Sequence, residues 1–168
     1  MNKIDWFVLC PVPRDQRPFY EYVKRKDSSI LGWIGLNELN YTRQFFVTLI
    51  LTFTINLPFT CWFISLSYYP LQTFLVNLFI SLTFETLIYG YFFITWIYAG
   101  KRLVSAKVWY EESGWYDGHV WIKPPSILKH ERLLYHYQLV PLIKRLAKTL
   151  QVLILLGVIV FSLIFLFI

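Results

Sequence analysis

Charged side chains are scarce in this chain. Asp, Glu, Lys and Arg make up 15% of its 168 residues, against 57% hydrophobic and 20% aromatic, too few to coat a soluble domain of this size. Lysine and arginine are missing altogether from positions 44 to 100 and again after Lys148. Cysteine is reduced to Cys10 and Cys61. The first falls in an aqueous arm and the second inside an apolar run, so no disulfide is expected between them.

The common catalytic and metal patterns are missing too. His130-Glu131 opens a zincin-like pattern, but the position for its second histidine is Leu134, and His136 is rotated well off the face of His130. Glu111, Glu112 and Glu131 are followed three residues on by Gly114, Trp115 and Leu134 rather than by the histidine of a di-iron pair. Ser113-Gly114 lacks the Gly-x-Ser-x-Gly frame, and no glycine-rich phosphate loop occurs. Glu111 and Glu112, as neighbours ending a strand, point to opposite faces and are poorly placed for joint acid and base work. These absences weigh against an enzyme without deciding the question, and no catalytic residue and no metal ligand set is assigned.

What is present is apolar length. A hydrocarbon core of about 30 Å takes roughly 20 apolar residues as helix, and three segments meet that requirement, about 45–66, 71–99 and 149–168. All sixteen basic residues flank these segments, seven at or before Arg43 and nine from Lys101 to Lys148. Such clustering is a topology signal: the amino-terminal arm and the 100–148 segment share one side, and the carboxyl end lies on the other. Basic residues scattered around apolar runs fit contact with anionic lipid and exclude nucleic acid as partner. Residues 1–9 include Asp5 and lack the charged-then-apolar-then-small order of a cleavable leader, so none is expected.

The predicted fold is an α-helical integral membrane protein with three transmembrane helices, and a β-hairpin and amphipathic helix between the second and third. Its parts are an extended, proline-rich arm over 1–43, a transmembrane helical hairpin over 44–99, the hairpin and amphipathic helix over 100–148, and the third span over 149–168. Three prolines between positions 11 and 18 favour an extended arm. The amphipathic helix covers 126–139, and Pro141 marks a fresh helix start.

Polar residues recur every four positions in the first two spans: Thr48, Thr52, Asn56 and Thr60 in one, Asn77, Ser81, Glu85 and Tyr89 in the other. Each set lines one helix face. A hairpin folded about the bond between Tyr68 and Tyr69 sets 60 beside 77, 56 beside 81, 52 beside 85 and 48 beside 89. Asn56, Asn77, Ser81 and Glu85 are thus the candidate intramembrane polar residues. An ionised Glu85 near the midplane costs at least about 2.5 kcal/mol. It is expected to be a neutral acid bonded to Thr52 and Tyr89; the functional alternatives are a proton or cation relay and an axial ligand to a pigment magnesium.

The densest stretch is Tyr110-Glu-Glu-Ser-Gly-Trp-Tyr-Asp-Gly-His-Val-Trp-Ile-Lys-Pro-Pro125. Asp117-Gly118 is a tight-turn signal between the alternating pieces 108–110 and 120–122, which predicts a β-hairpin. Aromatic rings ringed by charge are the composition of recognition surfaces. We read Arg102, Trp109, Tyr110, Glu111, Glu112, Trp115, Tyr116, Asp117, Trp121 and Lys123 as the partner-binding set; the plainer alternative is an interfacial hairpin seated at headgroup depth. This stretch, with the opening Cys10-Pro-Val-Pro-Arg-Asp-Gln-Arg-Pro-Phe-Tyr-Glu-Tyr22, resembles the plastid and cyanobacterial Ycf family known as hypothetical chloroplast frame thirty-six, also described as conserved in the green lineage and diatoms. The resemblance implies a multi-pass plastid membrane protein, in thylakoid or inner envelope, with its amino terminus stromal. The expected role is a non-catalytic accessory or assembly factor docking a photosynthetic membrane complex, with membrane lipid as its other partner and no cofactor. A pigment-, haem- or iron-handling protein using Glu85, Asn56 or the stromal histidines is the alternative, as is an ion-conducting oligomer.

The shared-side topology predicts that protease added to one face of sealed vesicles cuts both the arm up to Arg43 and the segment from Arg102 to Lys148. Digestion of the arm with the 102–148 segment protected would contradict a three-span arrangement.

Overall fold

The computed structural model describes residues 10–111 and 118–167. In chain order these form helix α1 (Pro18–Lys26), helix α2 (Glu38–Phe63), helix α3 (Pro70–Val104), strands β1 (Lys107–Glu111) and β2 (Gly118–Ile122), helix α4 (Pro125–Leu134) and helix α5 (Val140–Phe167). Short 3-10 turns occupy Arg14–Gln16 and Gly32–Gly35, and a π-helical turn, Tyr135–Leu139, joins α4 to α5. Three helices are long and apolar enough to cross a bilayer: α2, α3 and the continuous helix Pro125–Phe167, with mean hydropathies of 1.6, 1.5 and 2.9. The expected order of helices and hairpin is present.

Three local expectations are corrected. The 1–43 arm is not extended throughout, because Pro18 sits at the first position of α1, where no amide donor is required and its fixed φ suits the helix. No further proline interrupts the eight residues that follow, and Lys24, Arg25 and Lys26 end the helix on its negative pole. The second membrane-length helix starts at Pro70 but runs on to Val104, beyond the expected boundary at 99. Pro141 does not start a new helix; the π turn immediately before it accommodates the lost amide donor, and the helix continues.

The chain folds as two compact units, Met1–Gly32 with Trp96–Pro141, and Trp33–Thr95 with Leu142–Ile168. The first joins the arm up to Gly32 with the stretch Trp96–Pro141, and so holds most of the basic residues expected to share a side, while Arg43, Lys144, Arg145 and Lys148 fall in the second. Its core holds Tyr22, Trp96, Ala99, Leu103 and Leu139. At Gly100 an added Cβ would lie 2.7 Å from Cε2 of Tyr135, so only glycine lets α3 approach the π turn this closely. A smaller cluster forms where Val12 meets Val108 and Tyr110, with Cys10 and Trp121 packed beside them.

In the second unit α3 buries Leu75, Asn77, Ser81, Leu82, Glu85, Tyr89 and Phe92, while α5 buries Leu146, Leu153 and Val160 at heptad spacing. Rings of Trp33, Tyr41 and Phe45 surround Tyr89, with centroids 5.7 to 6.4 Å away. Such largely edge-on arrangements suit the ring quadrupoles. Arg145 donates to the carbonyl of Leu36 at 2.8 Å and stands over the ring of Tyr41 at 5.3 Å.

The α2–α3 register differs from the expected one by a helical turn. Glu85 meets Thr48, at 2.5 Å, rather than Thr52, and the Asn77 amide donates to the carbonyl of Phe53 at 3.1 Å. The cause is the connection. Residues 64–69 link the two helices, so the hairpin is centred on the bond between Leu66 and Ser67, two residues before the assumed point. Moving the centre by two shifts the facing position by four, one turn, which is the shift Glu85 makes from Thr52 to Thr48; the longer Asn77 amide reaches further, to the backbone of Phe53.

Cysteines at 53 and 77, in a background lacking Cys10 and Cys61, should therefore crosslink several-fold faster than cysteines at 56 and 81. Faster crosslinking of 56 with 81 would restore the register expected from the polar stripes.

Candidate functional site: the β1–β2 ribbon and its braces

Strands β1 and β2 pair antiparallel, with Val108 opposite Trp121, Trp109 opposite Val120, and Tyr110 opposite His119. Because side chains alternate along a strand, opposed residues share a face. The inner face carries Val108, Tyr110 and Trp121. The outer face carries Lys107, Trp109 and Glu111 from β1 with Val120 and Ile122 from β2. Here Trp109, Val120 and Ile122 are 69%, 42% and 67% exposed, an apolar strip between a cation and an anion. Of the expected partner-binding residues, Trp109 and Glu111 thus face outward, whereas Tyr110 and Trp121 face inward and serve packing. Glu112, Trp115, Tyr116 and Asp117 lie outside the described residues.

The ribbon is held by groups that periodicity does not reveal. The Gln16 side chain donates through Nε2 to the Glu111 carbonyl at 2.9 Å and accepts from the Glu111 amide at 2.9 Å, pairing with the β1 edge as a neighbouring strand would. Arg102 donates to the Glu21 carboxylate and, at 3.0 Å, to the carbonyl of Gln16, and its guanidinium stands over the ring of Tyr98. Arg17 donates to the carbonyls of Val12 and Cys10, fixing the arm beneath the inner face.

Lys123 was expected on the docking surface and is instead buried, at 3% exposure. Its Nζ donates to the carbonyl oxygens of Arg102 at 2.8 Å and Leu103 at 3.1 Å and to Oε2 of Glu131 at 2.5 Å. The last carbonyls of a helix have no partner within it, and an ammonium completes them and meets the negative end of the helix dipole. The backbone directs the side chain there, since the Lys123 amide donates to the Ala106 carbonyl just beyond α3. Burial pushes the Lys123 ammonium down from the ordinary lysine range, opposed by its bond to Glu131. Lys123 is therefore an internal brace, and the half-buried Arg102 turns its guanidinium to Glu21 and Gln16. Gln16, Glu21 and Glu131 complete the bracing, and their separations of up to 95 residues leave no local signal in sequence.

The intramembrane polar candidates divide. Asn77, Ser81 and Glu85 are buried on one face of α3, while Asn56 on α2 is half-buried. The Ser81 hydroxyl returns to the carbonyl of Asn77 at 2.7 Å, so it satisfies its own helix rather than bridging to another. Glu85 with Thr48 and Asn77 with Phe53 are two of the polar pairs that join α3 to α2. His130 lies near the Phe19 ring, and His119 near that of Tyr110.

Geometry and composition together define a mostly helical protein with three helices fit to cross a bilayer and one two-stranded sheet between the second and third. The chain belongs to the CGLD27-like family, Conserved in the green lineage and diatoms 27, whose model matches residues 10–152, a span that includes the arm, the ribbon and its braces. Among its relatives, the protein named ycf36 of Porphyra purpurea is 37% identical over 142 residues, covering 84% of this chain and 86% of that one. A ycf36 protein of Cyanophora paradoxa is 32% identical over 147 residues, 88% of this chain and 92% of the relative. The protein Conserved in the Green Lineage and Diatoms 27, chloroplastic, of Arabidopsis thaliana is 39% identical over 144 residues, 83% of this chain but 43% of the longer relative. No solved structure matches the chain.

Lys123→Met should lower stability by about 3–5 kcal/mol, because it leaves the Glu131 carboxylate buried without its partner. Adding Glu131→Leu should recover much of that loss in detergent-solubilised unfolding experiments. A double variant no more stable than the single would show that capping of α3, rather than the ion pair, is the dominant contribution.

Proposed function

We propose that this protein crosses a plastid membrane three times and acts there as a non-catalytic accessory or assembly factor, holding a photosynthetic membrane complex against the outer face of its β1–β2 ribbon. The observation that carries this is the exposed strip of Trp109, Val120 and Ile122, set between Lys107 and Glu111 on a ribbon braced from behind. An aromatic and aliphatic centre with a charged rim is the anatomy of protein interfaces, and a rigid support lowers the ordering cost of binding. The chloroplastic designation of the Arabidopsis relative supports the compartment. The three apolar helices support insertion, and the basic residues that flank them, seven at or before Arg43 and nine from Lys101 to Lys148, support a common, stromal side for the arm and the 100–148 segment.

Docking and a plain interfacial seat in lipid depend on different atoms. Replacing Glu111, Glu112 and Asp117 by their amides removes charge with little change of size, which a lipid seat tolerates but a complementary protein surface does not. The triple variant should accumulate in the membrane at normal levels while recovering several-fold less photosynthetic complex on mild-detergent purification. Unchanged recovery at normal protein levels would reduce the ribbon to a membrane anchor.

A further inference from the structure

Glu85 is fully buried on α3, and none of the ion pairs among the described residues includes it. One carboxyl oxygen, Oε1, lies 2.5 Å from the hydroxyl of Thr48, and the other, Oε2, is buried without a hydrogen-bond partner among the described residues. Counting protons distinguishes the two possible states of this pair. The Thr48 hydroxyl also lies 3.0 Å from the carbonyl of Phe45 and 3.1 Å from that of Gln44. A threonine hydroxyl has one proton to give and can accept two bonds. With Glu85 ionised, Thr48 must give its proton to Oε1, and the charge is left with a second oxygen that nothing stabilises. With Glu85 neutral, its own O–H donates to Thr48, the Thr48 proton passes to a helix carbonyl, and the remaining oxygen is an uncharged acceptor. The second arrangement uses both protons and buries no charge, the cheaper outcome in an apolar span.

We infer that Glu85 is an intramembrane proton-binding site, held as the neutral acid with its O–H donated to Thr48 and able to exchange that proton along the inner faces of α2, α3 and α5. The groups that face it define the route. Tyr89 lies one turn further along the same face of α3, and Tyr41 of α2 meets the Tyr89 ring edge-on at 6.3 Å. The Tyr41 hydroxyl is 2.9 Å from that of Thr149 on α5, and Arg145 stands over the Tyr41 ring. The buried α5 positions Leu146, Leu153 and Val160 add no titratable group. The step is a proton transfer alone. The carboxyl O–H breaks as its proton is taken up by the Tyr89 hydroxyl, which releases its own proton through its hydrogen bond to Tyr41 and on toward Thr149 and water, while Thr48 turns its hydroxyl to donate to the new carboxylate; a proton returning by the same route restores the acid. This inference does not depend on the docking role of the ribbon.

Infrared spectroscopy of the full chain in lipid vesicles tests it. At neutral pH the native protein should show a protonated-carboxyl C=O band that is missing from Glu85→Gln and displaced in Thr48→Val. Glu85→Gln retains size and a donor for Thr48, so helical circular dichroism should match the native protein and make the difference spectrum interpretable. Transfer to D2O should shift the band, several-fold more slowly in Tyr89→Phe and in Tyr41→Phe. Identical carboxylic bands in native and Glu85→Gln protein would overturn the neutral-acid assignment. A native band that fails to shift in D2O would overturn exchange, and an unaltered rate in both phenylalanine variants would overturn the route.

Discussion

The Lys123 ammonium joins three elements that the chain otherwise supplies separately: the open carbonyls ending α3, the strand β2 that it follows, and Glu131 of α4. A buried ion pair of this kind contributes little net stability over an apolar replacement. Its consequence is geometric. Lysine at this position fixes where α3 stops and how the ribbon leaves it, and Arg102, one of the two residues whose carbonyls Lys123 binds, points its side chain the other way to Glu21 and Gln16. The Gln16 side chain then holds β1. The outer face of the ribbon is consequently defined by a continuous set of polar contacts behind it.

A related economy governs the second unit. Hydroxyls of Thr48, Thr52, Thr60, Thr73 and Ser81 bond carbonyls of their own helices, which removes most of the apparent bridging capacity of the polar stripes. Among the described residues, polar bonds between α2 and α3 include those of a carboxyl and an amide, Glu85 and Asn77, and that between the hydroxyls of Tyr41 and Tyr89. Aromatic packing around Tyr89 supplies much of the other contact near that end of α3. Polar specificity and apolar bulk thus alternate along one helix face.

Much of this architecture was legible beforehand, for identifiable reasons. Membrane-length helices follow from uninterrupted apolar composition, and the hairpin from alternation flanking Asp117-Gly118, both local properties of the chain. The stripe of Asn77, Ser81 and Glu85 was correctly placed on a buried face because helical period alone determines which residues share a side. Which residues of the aromatic and charged stretch face outward was legible only in part. Composition marks a stretch as rich in rings and charges, but strand alternation then sends Tyr110 and Trp121 inward and Trp109 outward, the fold buries Lys123, and Arg102 turns to Glu21 and Gln16.

Sequence by itself determined the three membrane-length apolar segments, the ribbon between the second and third, and their order, because each depends on residues within a few positions of one another. Tertiary structure decided the quantities that depend on distant partners. The α2–α3 register was set by where the connecting residues 64–69 begin and end, and two residues there move the position that faces Glu85 by a full turn. The bonds of Gln16 with Glu111 and of Arg102 with Glu21 join positions 95 and 81 apart. Pairings at such separation carry no periodic signal, since nothing in the local chain distinguishes a charge that will find a buried partner from one that will meet water.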